Sequence, residues 1–161
     1  MLTYEDITGK IITIEEAEKR FTPAFRKGNK IVFTNGCFDL LHRGHVYNLS
    51  RARQMGDILV VGLNGDASVS RLQGPGRPVN QQQARAEVLA AMAFVDFVII
   101  FHEDKPLNLL HTVKPHILTK GGDYGVEEVV GYMEVASWGG KVEIIPLLEG
   151  YSTSSIIDKS T

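Results

Sequence analysis

The sequence predicts an α/β protein built as a Rossmann-like, doubly wound, parallel five-stranded sheet with helices on both faces. Three observations lead there. Short apolar, β-branched runs alternate along the chain with segments of helical period. The runs are mostly continuous rather than alternating, as expected of strands covered on both faces. The first of them passes through a glycine-punctuated turn into a helix start, the unit from which open parallel sheets are assembled. At 161 residues with 43% hydrophobic composition, the chain is expected to be one domain, 1–161, with a helical leader over 1–28 and a core over 29–159.

In the leader, Thr13 is placed to cap a helix that runs through Ile14, Glu15 and Glu16 to about Lys27. Strands are expected over Lys30 to Thr34, Asp57 to Asn64, Asp96 to Phe101, His116 to Lys120 and Lys141 to Pro146. Helices are expected over Arg43 to Met55, Gln81 to Ala93, Pro106 to Val113, Glu127 to Trp138 and Ser154 to Lys159. Turn formers dominate the stretch from Gln73 to Asn80, which reads as a loop.

Composition removes several classes of function. A net charge of -2, with no clustered basic stripe, argues against nucleic acid as the main partner. No apolar run approaches the roughly 20 residues that span a bilayer, so no membrane segment is expected. The single cysteine, Cys37, has no internal disulfide partner, and no basic-then-apolar leader directs export, so the cytoplasm is the expected location. Cys37 reads as a space filler rather than a nucleophile. His102, His111 and His116 lack metal-ligand spacing, and Phe97 and Trp138 read as core.

Chemistry concentrates at His42-Arg43-Gly44-His45, just after the run Thr34-Asn35-Gly36-Cys37-Phe38-Asp39. Two histidines in a helix would say little alone. Here they fall at the start of a helix, where unpaired amides favour an anion, and Gly44 keeps the backbone open to a bulky phosphate. The turn also sits at the carboxyl end of the first strand, where open sheets bind ligands. Gly36, Phe38, Asp39, His42, Gly44 and His45 match G-x-F-D-x-x-H-x-G-H. In this the chain resembles nucleotidyltransferases of the cytidylyltransferase-like superfamily, where that pattern marks the nucleoside triphosphate site.

Other segments point the same way. Asn64 and Asp66 follow the second strand, and Arg77 and Arg85 are candidate phosphate clamps, each guanidinium offering five fixed donors. A plain helix-face ion pair is the rival role for Arg85. Lys120 with Gly121, Asp123 and Tyr124 ends the fourth strand, where an ammonium and an open backbone can meet one phosphate. Ser152, Thr153 and Ser154 open the last helix with hydroxyls and free amides. From about Asn29 to Lys159 these segments are similar to the adenylyltransferase half of the bifunctional heptose 7-phosphate kinase/heptose 1-phosphate adenylyltransferases of lipopolysaccharide synthesis.

The resemblance implies transfer of AMP from ATP to D-glycero-β-D-manno-heptose 1-phosphate, giving ADP-heptose and pyrophosphate for lipopolysaccharide or surface-glycan synthesis. It makes His42, His45 and Lys120 the catalytic set. It also implies Mg2+ held mainly through ATP phosphates; Asp39 is either a ligand of that ion or a capping or orienting residue. With no kinase segment ahead of the motif, a stand-alone form fed by a separate heptokinase is expected, and a homodimer by base rate. Two alternatives stay open. Cytidylyltransferases for glycerol 3-phosphate or ethanolamine phosphate share the histidine block, but commonly carry an arginine in R-T-x-G-I-S-T; here Pro146 to Thr153 lacks it. The other is a non-catalytic nucleotide sensor.

Overall fold

The computed structural model describes residues 1–160. The chain runs α1 (Tyr4–Thr8), α2 (Ile14–Arg20), α3 (Pro23–Gly28), β1 (Ile31–Gly36), α4 (Arg43–Arg53), β2 (Ile58–Asn64), α5 (Asp66–Gln73), α6 (Gln82–Ala90) and β3 (Phe97–Phe101). It continues through α7 (Leu107–Val113), β4 (Ile117–Gly121), a 3-10 turn (Val126–Glu128), α8 (Tyr132–Ser137), β5 (Lys141–Ile145) and α9 (Thr153–Ser160). The strands form one parallel sheet in the order β3-β2-β1-β4-β5. This is the doubly wound architecture, with the chain reversing direction across the sheet at β1.

Alternate residues of each strand divide the core between the two faces. Ile31 and Phe33 of β1 and Val60 of β2 join a cluster with Ala17, Phe21, Leu109, Leu110 and Val135 on one face. Val32, Leu59, Val61 and Leu63 join Leu49 and Ala52 of α4 and Ala86 and Leu89 of α6 on the other. Both faces are therefore dry, which is why the strands read as continuous apolar runs. Trp138 and Phe97 pack against the first cluster as expected, and the Trp138 indole N–H donates to the Pro115 carbonyl at 3.0 Å.

The leader is more structured than its sequence suggested. A capping box of Thr3 and Asp6 starts α1. The expected single helix up to Lys27 is instead two, α2 and α3. Proline at 23 has no N–H to donate and pushes its predecessor out of helical geometry, so Thr22 becomes a fresh N-cap and accepts from Phe25 N–H. Between α1 and α2 the chain pairs with the edge of the sheet. Val98 N–H donates to Lys10 carbonyl at 2.9 Å, and Ile12 N–H to Val98 carbonyl at 3.0 Å. Lys10 Nζ then reaches the carbonyls of Ala90 and Val95 at 2.9 and 3.0 Å, closing the end of α6.

Two further expectations fail for identifiable reasons. The segment after β2 holds a helix, α5, that its serine-rich sequence did not announce. The expected helix from Glu127 to Trp138 breaks into the 3-10 turn and α8. Gly131 sits between them at φ 100°, where a Cβ would lie 2.5 Å from Leu110 Cδ1. Only glycine fits that approach.

Candidate functional site

The site begins where the sheet comes apart. β1 and β2 pair from Ile31↔Ile58 to Gly36↔Leu63. β1 and β4 pair only at Val32↔Ile117 and Phe33↔Leu118. Past that point, Thr34 and Thr119 hydroxyls bridge the two strands, donating at 3.4 Å to the Thr119 and Phe33 carbonyls respectively. A crevice opens beyond them, flanked by Asn35 and Gly36 at the end of β1 and by Lys120 and Gly121 at the end of β4. It lies at the switch point of the strand order, where ligands bind in sheets of this kind.

His42 and His45 enter this crevice from the start of α4. His42 is the N-cap rather than a first-turn residue: its Nδ1 accepts from Gly44 N–H at 3.1 Å. His45 Nδ1 accepts in turn from His42 N–H at 3.2 Å. A ring nitrogen that accepts carries no proton, so these bonds assign both neutral rings to the Nε2–H form. Each imidazole thus keeps one N–H to donate. The rings lie 3.9 Å apart between centroids. Burial holds His42 below the usual histidine range; His45 is brought to about 4 by burial and by its neighbour His42. Both are neutral donors at pH 7.

The glycines of the motif make room for this pair. A Cβ at Gly44 would lie 2.9 Å from His42 Cε1 and 3.3 Å from Tyr151 Cβ. At Gly36 it would lie 3.0 Å from the Phe38 ring. Phe38 itself is held at φ 45°, and its buried ring packs 5.4 Å from His45. Strain of this kind persists only where surrounding contacts fix it.

Asp39 and Arg85 tie the loops together. The Asp39 carboxylate, 3% exposed, accepts from Val79 and Asn80 N–H at 2.8–2.9 Å and from Arg77 Nε at 2.7 Å. Although burial alone would raise it, these bonds and the Arg77 charge hold its carboxyl below the ordinary value. Asp39 is an orienting residue: the capping role belongs to His42, and the Asp39 oxygens are already engaged. Arg85 is a correction. Its guanidinium is fully buried and donates to the carbonyls of Cys37, Asn64 and Asn80 and to the Asp66 carboxylate, at 2.6–2.9 Å. It is neither a phosphate clamp nor a helix-face partner. Asp66 is held with it: its Oδ1 accepts from Arg85 and its N–H donates to Gln82 Oε1. Asn64 is buried and donates to Ser68 Oγ at 2.9 Å. Arg77 keeps both Nη groups clear of any hydrogen bond among the described residues, and it lines the cleft.

The cleft has two lobes, of about 650 and 300 Å³, that share Asn35, Gly36, Cys37, Phe38, His45, Lys120 and Thr153. Lys120 Nζ lies 5.7 Å above the Tyr124 ring. At the start of α9, Ser152 Oγ accepts from Ser155 N–H at 3.0 Å and Thr153 Oγ1 donates to Leu40 carbonyl at 3.0 Å. The Thr153 proton is spent within the protein, whereas Ser152 keeps its own O–H and lines the smaller lobe; Ser154 lines the larger one. Asp123 is exposed just past β4. Burial pushes the Cys37 thiol up, which leaves little thiolate at neutral pH. Among the described residues no three His, Cys, Asp or Glu side chains converge as a metal site.

Residues 33–159 match the cytidylyltransferase-like family model. The chain belongs to the cytidylyltransferase-like family. The bifunctional protein HldE of Syntrophotalea carbinolica is 56% identical over 134 residues, which cover 83% of this chain and 27% of that protein. HldE of Geobacter sulfurreducens is 49% identical over 154 residues, 96% of this chain and 30% of that protein. The chain thus spans less than a third of the length of these curated relatives. Among solved structures, a lipopolysaccharide core biosynthesis protein from Thermoplasma volcanium superposes with a TM-score of 0.63 at 30% identity, covering 78% of this chain and all of that one. A pantothenate synthetase from Thermus thermophilus, at 17% identity and a TM-score of 0.59 over 92% of this chain and 70% of that one, shares the fold alone.

Within this cytidylyltransferase-like cleft, several lining residues carry no motif. Asn48 lies one turn beyond His45, on the same face of α4; a Cβ at Gly121 would come within 2.5 Å of its Nδ2. The spacing of three from His45 was the available signal. Gln73, Asp104, Lys105 and Glu128 line the larger lobe. They come from α5, from the loop after β3 and from the 3-10 turn, which only the folded sheet brings to one place.

Proposed function

We propose that this domain transfers AMP from ATP to D-glycero-β-D-manno-heptose 1-phosphate, releasing pyrophosphate and forming ADP-heptose. The observation that carries the reading is the pair of neutral imidazoles, each with a spare Nε2–H, opposite Lys120 at the switch point of the sheet. The choice of a heptose acceptor draws on the 49–56% identity to HldE proteins.

An oxygen of the sugar phosphate attacks the α-phosphorus of ATP in line, one P–O bond forms, and the bond to pyrophosphate breaks. The attacking phosphate is ionised at neutral pH, so no general base is required. Bringing two polyanions together is the main difficulty, and positioning with charge neutralisation meets it. His42 and His45 donate from Nε2–H to phosphate oxygens as charge builds on them. Lys120 supplies a point charge between the two lobes. Arg77, anchored through Nε to Asp39, offers its Nη groups to the same phosphates. Thr153 and Ser154 line the cleft at the start of α9, where the unpaired amides of a helix start favour an anion.

Mg2+ belongs to the proposal as an ion that, when bound with ATP, would supply neutralisation of the triphosphate charge. The described residues hold no carboxylate cage for it, and Asp39 is fully occupied, so no side chain is assigned to it. The cytoplasm as the location, a homodimer, and a kinase activity that supplies the 1-phosphate complete the reading.

The test is pyrophosphate release from purified protein with Mg2+ and heptose 1-phosphate, comparing ATP, CTP and GTP, with the sugar product identified by mass. ATP is expected to be turned over best and to yield ADP-heptose. Turnover with CTP alone, or with glycerol 3-phosphate in place of the sugar, contradicts the assignment.

A further inference from the structure

We propose that Asp104 and Glu128 read the hydroxyl groups of the acceptor sugar, an assignment that rests on the adenylyltransferase reading above. The two lobes of the cleft differ in chemistry. The smaller sets an apolar wall of Leu147, Leu148 and Tyr151 beside the phosphate donors His42, His45 and Lys120, a combination suited to a flat base with phosphates attached. The larger presents Gln73, Arg77, Asp104, Lys105 and Glu128. A carboxylate repels phosphate but accepts hydrogen bonds from hydroxyls, so two of them have no place against the triphosphate. They suit the neutral, hydroxyl-rich part of an acceptor whose single phosphate faces Arg77 and Lys105.

The two carboxylates are presented in different ways. Arg71 braces Asp104: its Nε donates to Asp104 Oδ1 at 2.8 Å while its Nη2 donates to the His102 carbonyl at 2.8 Å. That fixes one oxygen to the end of β3 and leaves Oδ2 without a hydrogen bond among the described residues. Glu128 stands on the 3-10 turn after β4, its carboxylate without a hydrogen bond or ion pair among the described residues. In the sheet order β3 and β4 lie on opposite sides of the β2–β1 pair. The carboxylates therefore reach the lobe from two sides, which suits an acceptor with hydroxyls along its length and not a short alcohol phosphate.

Both residues are exposed, so Asp104→Ala and Glu128→Ala should fold; circular dichroism and thermal melting check this. The experiment measures KM for heptose 1-phosphate, KM for ATP and the Mg2+ concentration giving half-maximal rate, in the unaltered protein and both variants. Calorimetry with heptose 1-phosphate supplies binding directly. The expected result is a roughly ten- to hundredfold rise in KM and Kd for the sugar phosphate, as for loss of a hydrogen bond to a charged group, with the ATP and Mg2+ values unchanged. An unchanged sugar KM overturns the assignment. So does a shifted Mg2+ requirement without a sugar effect, which would make the carboxylates metal ligands. If the unaltered protein transfers nothing to heptose 1-phosphate, the adenylyltransferase reading falls first and this one with it.

Discussion

At the scale of single residues, His45 couples chemistry to stability. Its folded pKa of about 4 lies below the ordinary 6.5, so between those values the unfolded chain binds a proton that the folded one refuses. Stability from this residue is complete above about pH 6.5 and is lost as pH falls toward 4. His42 and His116, also lowered by burial, act in the same direction. Urea unfolding between about pH 7 and pH 5 should show a falling free energy, with a shallower fall in His45→Gln; an unchanged slope would mean that the ring is not buried as described. His42 separates two roles. His42→Asn keeps an N-cap and should melt within a few tenths of a kcal/mol of the parent, whereas His42→Ala should cost about 1 kcal/mol. Both lose the imidazole Nε2–H, and the shorter Asn amide does not reach where that nitrogen stood, so both should lose turnover. The histidines and glycines were legible because their chemistry depends on local spacing. Arg85 was not, since an arginine on a helix beside a phosphate motif reads as a clamp or a helix-face partner until the distant carbonyls of Cys37 and Asn64 close around it. Arg85→Met should destabilise by about 2–4 kcal/mol in denaturant, because it leaves the carbonyls of Cys37 and buried Asn64 without the donor that satisfies them.

At the scale of elements, the leader carries a consequence for the sheet. The pairing of Lys10 to Ile12 with Val98 covers the outer edge of β3, and exposed edges invite association. Removing residues 1–12 should lower the denaturation midpoint and produce soluble aggregates in size-exclusion chromatography; a monodisperse, equally stable fragment would show that the edge needs no cover. The five strands were legible because both faces are buried and each run is β-branched. Helix ends were less so. Thr22 and Pro23 carry a stop-and-restart signal that the apolar spacing around them masks. In α5 only Ser68 and Val69 are buried, too narrow an apolar stripe to stand out from its serines. The break before α8 depends on how closely Gly131 approaches Leu110, a contact between elements that local sequence does not specify.

For the whole molecule, the decisive feature is the early end of the β1–β4 ladder. Two paired positions hold those strands together, and the gap beyond them receives the start of α4, the end of β4 and the start of α9. The alternation of strands and helices announced a doubly wound sheet with the motif at the end of its first strand, so the place of the site was legible, although the strand order was not. Its breadth was not, because the walls of the larger lobe come from segments far apart in the chain. The most direct measurement of the central claim is the turnover number with saturating ATP, Mg2+ and heptose 1-phosphate in the parent and in His45→Ala, with ATP affinity measured in parallel. A fall of roughly 100- to 1,000-fold in kcat, with ATP binding largely kept, is the predicted result for loss of a transition-state donor. Undiminished kcat would contradict it, and the imidazole pair would then be no more than a helix cap.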